Sequence, residues 1–160
     1  VDGAFRSRTT ALIAAFNGAS STAALAATLG LDPAAWHLDH RDAGTALGAA
    51  PLRLKPGPPK SHGRALEKPL GSLKDLNRCT VECHCPYVCA LFLAGLRETF
   101  PVVAVKNKHK QDEVSQPPDL HVNVDLGGGF LGEVQIILTY CLEVKNILHF
   151  IYELLRAKTV

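Results

Sequence analysis

With 160 residues, of which 47% are hydrophobic, the chain is long enough to bury a substantial core as one domain. Its formal net charge of +2 gives no strong overall field, so the composition indicates neither a nucleic acid nor an anionic membrane as a partner. Any site for a polyanion must therefore be local. No apolar run approaches the roughly 20 residues that a membrane-spanning helix requires.

Residues 1–50 are predicted to form an alanine-rich helical extension. Helix-forming residues dominate Ala4 to Phe16 and Ser20 to Leu29, and a glycine follows each segment. A third helix is predicted for Ala34 to Arg41, because an aspartate and a proline occupy the cap and the first helical position before it.

The composition of residues 1–31 admits two interpretations. It is rich in Ala, Ser and Thr and poor in acids, which is typical of an organellar targeting sequence, yet an ordinary surface helix has the same composition. The chain contains no methionine and begins with Val1, so we expect that a segment preceded it. A mitochondrial or plastid location is therefore one of the expectations.

A proline-rich segment from Ala50 to Gly63 divides the chain. It contains four prolines together with Arg53, Lys55 and Lys60, and proline disfavours helical structure in the residue before it. We therefore predict an extended basic connector rather than a regular element. The boundary separates the helical extension from a second domain at 51–160.

Downstream of the connector, the pattern alternates between strands and helices. The predicted elements are a strand at Leu76–Cys83, a helix at Pro86–Thr99, a buried strand at Val102–Val105, strands at Leu120–Leu126 and Phe130–Leu138, and a terminal helix at Tyr140–Lys158. A glycine turn at 127–129 joins the last two strands. This order predicts an α+β fold, in which a mixed β-sheet of about four to five strands is flanked by helices.

Four cysteines lie close together in the sequence. The spacing of Cys79, Cys83, Cys85 and Cys89 does not match the familiar paired arrangements of zinc ligands, although zinc binding is kept as an alternative. The predicted strand and helix instead direct the first, second and fourth of them into the core as small apolar residues. The odd total of five cysteines argues against a full disulfide framework and favours an intracellular, reducing compartment.

Six short segments occur in an order and at a spacing that resemble a known domain. They are Arg64 to Lys68, Asp75 to Arg78, Val105 to Lys108, Asp119 to Val124, Gly132 to Ile136 and His149 to Arg156. Together they resemble the RelA/SpoT-type (p)ppGpp synthetase domain over roughly residues 51–158, with the first 50 residues outside it. The resemblance implies a nucleotidyltransferase-like fold.

The resemblance also implies a reaction and a metal. Members of this family transfer pyrophosphate from ATP to the ribose 3′ oxygen of GDP or GTP, and they require Mg²⁺. Asp75 matches the aspartate that holds the metal, and Glu133 matches the glutamate of a Glu-x-Gln motif that completes the site and helps to activate the attacking hydroxyl. Magnesium usually binds one or two carboxylates together with substrate phosphates, which agrees with this pair.

Further residues match nucleotide-binding positions of the family. Arg53 and Lys55 lie in an Arg-x-Lys motif, Lys68 is the next lysine, Arg78 ends the Asp-Leu-x-Arg segment, His121 is the histidine of Gly-Tyr-x-x-x-His, and Gln135 closes Glu-x-Gln. These cations are expected to offset phosphate charge.

Each candidate also has an ordinary structural interpretation. Asp75 and Glu133 could be strand-end acids paired with nearby cations, and the basic residues could be solvated charges. His149 and Tyr152 of the terminal helix are expected to pack and hydrogen-bond against the sheet.

The chain departs from the family at residues that bind the base and the phosphates. Gln116-Pro117 replaces the Gly-Tyr whose ring stacks on the guanine, and Ile137-Leu138 replaces an Arg-Thr that often follows Glu-x-Gln. Base stacking on an aromatic ring contributes roughly 1 to 3 kcal/mol, so a weaker acceptor site is expected. Movement of Tyr87 or Tyr140 into the empty position would restore it.

These departures favour a degenerate RelA/SpoT-like domain, a pseudoenzyme that serves as a structural or accessory subunit of a larger assembly. Two alternatives stay open: a Mg²⁺-dependent synthetase acting on ATP and GDP or GTP, and a module that senses nucleotides without turnover. The expected partners are other protein subunits, and nucleotides if the family activity survives. Neither a specific nucleic acid nor a membrane-spanning contact is predicted.

Overall fold

The computed structural model describes residues 2–19, 25, 27–30, 52–57, 77–84, 86–110 and 117–157, and the structural statements below concern these residues. The elements in chain order are α1 (Asp2–Gly18), β1 (Arg53–Pro56), β2 (Asn77–Cys83), α2 (Pro86–Thr99), β3 (Val102–Asn107), a 3₁₀ turn (Lys108–Lys110), β4 (Leu120–Asp125), β5 (Leu131–Leu138) and α3 (Thr139–Ala157). The predicted α+β class is confirmed.

The strands form one five-stranded sheet in the order β1-β2-β5-β4-β3. β2 and β5 run parallel, whereas the other neighbouring pairs are antiparallel. From β2 the chain passes through α2 to the far edge, β3, and returns through β4 to β5 at the centre of the sheet. The prediction of a mixed sheet is therefore confirmed.

Helices α1 and α2 pack against one face of this sheet. Alternate residues of β4 and β5 point towards the helices, and Val122, Val134 and Ile136 are 0% exposed. The two helices meet through Phe16 and Phe92, whose ring centroids lie 5.4 Å apart in an edge-on arrangement. These side chains belong to one hydrophobic core.

Helix α1 contributes directly to that core. Phe5 lies so close to β5 that a Cβ added at Gly132 would be 2.9 Å from its ring, which explains the glycine at this position. Near the other end of the helix, the Asn17 side chain donates to the Leu52 carbonyl at 3.1 Å and accepts from the Leu52 N–H at 2.7 Å. The predicted helix at 4–16 is confirmed, and it is joined to both the sheet and the start of β1.

The second predicted N-terminal helix is described only at its end. Leu25, Ala27 and Thr28 are helical. Gly30 follows with a φ of 69°, and its N–H donates to the Ala27 carbonyl at 3.2 Å, which is typical of a glycine that ends a helix. The predicted helix at Ala34–Arg41 lies outside the described residues.

Two predictions about strands need correction. Arg53–Pro56 forms the edge strand β1, whereas its composition predicts a connector without regular structure. Proline is compatible with an edge strand because such a strand bonds to one neighbour only. Val102–Val105 lies in a strand as predicted but is not buried, since Val103 is 59% and Val105 36% exposed. A short apolar run does not distinguish a central strand from an edge strand.

The remaining predicted strands and the central helix are confirmed. β2 directs Cys79, Val81 and Cys83 into the core, and α2 begins at Pro86 and ends at Thr99. The predicted turn between β4 and β5 contains three glycines, at positions 127, 128 and 129, with φ values of 81°, 63° and 80°. Three successive positive φ values are accessible to glycine and costly for other residues.

Helix α3 follows β5 without a break, and only its first turns join the core. Cys141 and Leu142 are buried, whereas the described side chains beyond them are exposed or half-buried. His149 is exposed rather than buried against the sheet, and the Tyr152 side chain lies outside the described part. The 19-residue helix is about 28 Å long. No helix of the described ranges has the length and apolar content needed to cross a bilayer.

Candidate functional site

The sheet face that points away from α1 and α2, called the polar face here, contains most of the sequence-predicted site residues. They are Arg53 and Lys55 on β1, Arg78 on β2, His121 on β4, and Glu133 and Gln135 on β5. Arg78 pairs with Glu133 across the parallel strands, and His121 pairs with Gln135 across the antiparallel ones. Paired residues project from the same face, so four strands bring these side chains together.

Asp119 is the centre of a hydrogen-bonded network at one end of the polar face. Its side chain is 0% exposed, and Oδ2 accepts a hydrogen bond from Lys145 Nζ at 2.9 Å, while Oδ1 forms ion pairs with Lys108 Nζ at 2.8 Å and His121 Nε2 at 3.0 Å. Burial alone would raise the pKa of Asp119, but the hydrogen bonds from His121, Lys108 and Lys145 outweigh it and hold the pKa well below its usual range. Asp119 is therefore a carboxylate that holds three cationic groups together.

Local structure explains why these groups meet. Asp119 directly precedes β4, and its carbonyl accepts from the Lys108 N–H at 3.1 Å, which extends the pairing of β3 with β4 by one step. Lys145 lies on the second turn of α3, which starts where β5 ends beside the beginning of β4. The network thus joins β3, β4 and α3.

Glu133 forms the other half of the network. Its Oε1 accepts from Gln135 Nε2 at 2.8 Å, and its Oε2 lies 3.5 Å from His121 Nδ1. The hydrogen bond from His121 lowers the pKa of Glu133 against the opposing effect of burial, and Gln135 adds to the lowering. The hydrogen bonds to Asp119 and Glu133 in turn raise the pKa of His121. The pair therefore favours a carboxylate beside an imidazolium.

His121 has two alternative partners at Nε2. This atom lies 3.0 Å from Asp119 Oδ1 and 2.8 Å from Lys108 Nζ. A protonated Nε2 donates to Asp119, whereas an unprotonated Nε2 accepts from Lys108, and one nitrogen cannot do both. The orientation of Lys108 is thus coupled to the proton on His121.

A second ion pair lies on the same face towards β1. Lys55 Nζ is 3.1 Å from Glu82 Oε2, and the Glu82 side chain is only 9% exposed. The register explains the contact, because Lys55 and Glu82 lie two positions apart on adjacent antiparallel strands.

Some predicted site residues fall outside the described residues, and some network residues were missed. Asp75, Lys68 and Cys85 are among the predicted residues that the structure does not describe. Asp119 and Lys145 received no role from the sequence. The alternation of Asp119 with His121 along one strand face was a usable signal, whereas the approach of Lys145 from α3 could not be read from local sequence.

The cysteines are consistent with core positions. Cys79, Cys83, Cys89 and Cys141 are buried and free of disulfides. Burial raises the pKa of Cys79 to about 12, and a hydrogen bond with Cys83 lowers the pKa of Cys89. Within the part of the chain that is described, no three His, Cys, Asp or Glu side chains are arranged to hold a metal ion.

Of the two carboxylates predicted to bind magnesium, Glu133 is described by the structure and Asp75 is not. Glu133 pairs in register with Asn123, whose Oδ1 is buried and has no hydrogen-bond partner among the described residues. Two oxygen ligands on neighbouring strands suit a hard cation such as Mg²⁺. Glu133 and Asn123 thus provide two oxygen-bearing side chains of the type that Mg²⁺ binds, and the metal and the role of Asp75 stay predictions.

Pro117 stands where the resemblance places the ring that stacks on the base, and the two described tyrosines at 87 and 140 lie elsewhere. Pro117 is buried ahead of β4. Tyr140 lies at the start of α3 and is 60% exposed, and Tyr87 lies on α2, on the other side of the sheet from the polar face. Comparison with protein-family models and with curated protein sequences finds no match to this chain.

Proposed function

We propose that this chain is a RelA/SpoT-like domain of nucleotidyltransferase-like fold that binds a nucleoside polyphosphate on its polar face without transferring pyrophosphate. One observation carries the proposal, which is the clustering of the motif residues. Strand alternation explains why polar residues share a face, but it does not explain why Arg78 and His121 both become neighbours of Glu133.

The cations of the polar face suit a polyphosphate. Arg53 is exposed and the Lys55 side chain is 51% exposed, both on the edge strand β1, where a ligand can approach from the side. Arginine binds phosphate through paired N–H groups and lysine acts as a point charge. Arg78 lies between these residues and Glu133, so a phosphate chain could extend from the sheet edge towards the carboxylate.

Magnesium would complete such a site. Glu133 and the buried Oδ1 of Asn123 would hold it, together with Asp75 and the phosphates of the ligand. When bound, the ion neutralises phosphate charge and orients the polyphosphate. Donors on neighbouring side chains orient both Glu133 oxygens, so the chain itself fixes the position of the carboxylate that would bind the ion.

Two features support binding without turnover. Glu133 is engaged by His121 and Gln135, so a substrate hydroxyl would have to compete with both for the carboxylate. The loss of a ring at Pro117 removes a contact worth roughly 1 to 3 kcal/mol per base, which weakens the acceptor nucleotide most. A site with phosphate ligands and a poor acceptor pocket holds one nucleotide without positioning a second.

Fluorescent methylanthraniloyl derivatives of ATP and GDP, titrated with and without Mg²⁺, test the proposal. We expect Mg²⁺-dependent binding of at least one of them, and no tetra- or pentaphosphate product after incubation with labelled ATP and GDP or GTP. Arg78→Gln should weaken binding about tenfold, because it removes a charge-assisted phosphate contact.

Matched variants separate a specific site from general charge. Arg78→Lys keeps the charge and should recover part of the affinity, while Arg8→Gln removes one charge from α1, on the opposite side of the sheet, and should leave binding unchanged. Absence of nucleotide binding by a folded protein would refute the proposal. Product that disappears in Glu133→Ala would instead establish the synthetase.

A second candidate function is the accessory subunit of a larger assembly, and a specific feature of α3 favours it. Tyr140, Val144, Ile147, Ile151 and Leu154 follow a spacing of four, three, four and three residues and are each 45% or more exposed. This spacing aligns them along one side of the helix, as in the seam of a coiled coil. Such a stripe on a soluble surface is typical of a helix that contacts another protein.

Sedimentation of the purified chain tests this second candidate. If the stripe is an interface, the isolated chain should self-associate or bind a hydrophobic dye, and Ile147→Ser with Ile151→Ser should abolish both without changing the circular dichroism spectrum. A wild-type protein that is monomeric, binds no dye and is indistinguishable from the variant would contradict it.

A further inference from the structure

β3 is an open edge among the described strands, because β4 is its one neighbour. The opposite edge, β1, has four residues and ends in Pro56, and both features protect an edge from further pairing. β3 has six residues and no proline, and it exposes Val103 and Val105. The two edges therefore differ in their capacity to accept another strand.

The backbone groups that β3 presents at this edge follow from its register. Lys108 N–H donates to the Asp119 carbonyl, which continues the antiparallel pairing with β4. Residues that bond to a neighbour alternate with residues whose N–H and C=O point away from it. Lys106 thus bonds towards β4, and the N–H and C=O groups of Val105 and Asn107 point outward.

An open groove runs beside this edge. It has a volume of about 480 Å³ and lies between β3 and the end of α2, lined by Arg97, Phe100, Pro101 and Val102–Val105. Val105 pairs with Val122 and therefore projects on the groove side of the sheet, whereas Lys106 pairs with His121 and projects on the polar face. A strand added here would place alternate side chains in an apolar groove and beside a lysine.

The charge of Lys106 determines whether a second copy of this chain or a foreign strand can pair with the β3 edge. A second copy that used both Val105 and Asn107 in a two-fold antiparallel pair would place Lys106 directly opposite its own copy, and like charges in that position are destabilising. The bulge at Val103 interrupts the alternative register. A foreign strand with an acidic side chain opposite Lys106 has the complementary charge.

Other cations close to β3 also favour an acidic partner. Arg97 lines the groove, and His109 and Lys110 are exposed just beyond the end of β3. We propose that the β3 edge binds an extended segment of another protein as a sixth strand, with an acidic residue opposite Lys106 and an adjacent apolar side chain in the groove. This inference does not depend on nucleotide binding, because the residues involved lie at the edge remote from Arg53.

Titration of the ¹⁵N-labelled chain with the peptide acetyl-Ser-Val-Glu-Val-Ser-amide tests the proposal. We expect saturable chemical-shift changes along β3 and the groove, and slower amide exchange at Val105 and Asn107, whose N–H groups gain acceptors. The counterpart acetyl-Ser-Val-Lys-Val-Ser-amide should bind about tenfold more weakly, because it places a like charge opposite Lys106.

Two variants make the test specific. Lys106→Glu should reverse the preference between the peptides, whereas Ala14→Glu, which adds one negative charge to the exposed side of α1, should not. Val105→Pro removes only an outward N–H and should abolish binding, while Val105→Ala keeps that donor and should retain binding.

Several results would overturn the inference. They are the absence of binding by either peptide at saturating concentration, equal affinity for both, shift changes confined to the polar face, and concentration-dependent pairing of the chain through β3. If Val105→Pro does not fold, the charge reversal at Lys106 still decides the question.

Discussion

Val122 and Val134 lie opposite each other on β4 and β5 and are 0% exposed, whereas His121 and Gln135, one residue away, are half-buried within a network of hydrogen bonds. The packed face depends on filled volume, because close-packed interiors lose dispersion contacts when atoms are removed. The polar face depends on charge balance around Asp119. We therefore expect changes of volume and changes of charge to have separable effects on the two faces.

The largest effect is expected on the packed face. Phe16→Ala removes a side chain that is 1% exposed and that contacts Phe92 edge-on, and it should lower the free energy of unfolding by about 3 to 5 kcal/mol. Urea unfolding followed by circular dichroism measures this change. Val103→Ala is the matched control, since Val103 is 59% exposed and its truncation should cost less than about 0.5 kcal/mol. Equal losses in both variants would contradict the assignment of the core.

The next largest effect concerns charge at nearly constant volume. Asp119→Asn keeps the shape of the side chain but leaves Lys108, Lys145 and His121 without their common carboxylate. Removing one partner of a buried ion pair costs several kcal/mol, and we expect about 2 to 3 kcal/mol because the cations are partly exposed.

A matched variant tests whether position or charge matters in that result. Asp125→Asn removes the same charge from the exposed far end of β4, where, among the described residues, the Asp125 side chain accepts from the Gly127 N–H at 2.8 Å. Urea unfolding should show a loss of less than about 1 kcal/mol for this variant. A loss as large as that of Asp119→Asn would show that overall charge, rather than the network, governs stability.

A smaller effect is expected from pH. The pKa values of Glu133 and Asp119 are lowered from 4.5 and 3.8, so their contribution to stability is present above these values and is lost as the pH falls below them. The pKa of His121 is raised from 6.5, so its contribution is complete below 6.5 and is lost as the pH rises through the raised pKa.

Thermal unfolding across pH 3 to 9, in steps of about half a unit, measures both effects. We expect the network to contribute most between 4.5 and 6.5. His121→Gln should remove the loss of stability on the alkaline side and should also reduce the loss on the acid side, because the hydrogen bond from His121 is the main cause of the lowered pKa of Glu133. An unchanged alkaline side in this variant would mean that another group titrates there.

The extent to which the fold could be predicted from sequence differs between elements. Helix α2 was bounded correctly because Pro86 favours the first turn of a helix, and the start of β4 was found because Leu120, Val122 and Val124 alternate with polar residues, although the strand ends at Asp125 rather than Leu126. The exposure of Val102–Val105 could not be predicted, because a strand is placed at an edge by pairing with distant residues. The exposure of α3 beyond its first turns is a similar tertiary property.

For the site, sequence motifs selected side chains but not their partners. Glu133 and His121 were chosen separately, and their 3.5 Å contact follows from the register of β4 against β5. Asp119 was quoted within a motif yet received no role, because burial of a carboxylate beside Lys145 depends on how α3 leaves the sheet. Registers and helix directions are long-range properties that local patterns do not specify.

The smallest effect is expected at the Lys55–Glu82 pair, and it tests whether the polar face acts as one network. The Lys55 side chain is 51% exposed, so the pair should contribute only about 0.2 to 1 kcal/mol and should weaken with salt. A double-mutant cycle with Lys55→Met and Glu82→Gln measures this coupling by urea unfolding. Because Glu82 and Asp119 share no partner among the described residues, combining Lys55→Met with Asp119→Asn should give additive losses. A coupling of more than about 1 kcal/mol between Lys55 and Asp119 would instead mean that charge is balanced across the whole polar face, and the comparison between the two faces would then extend to β1.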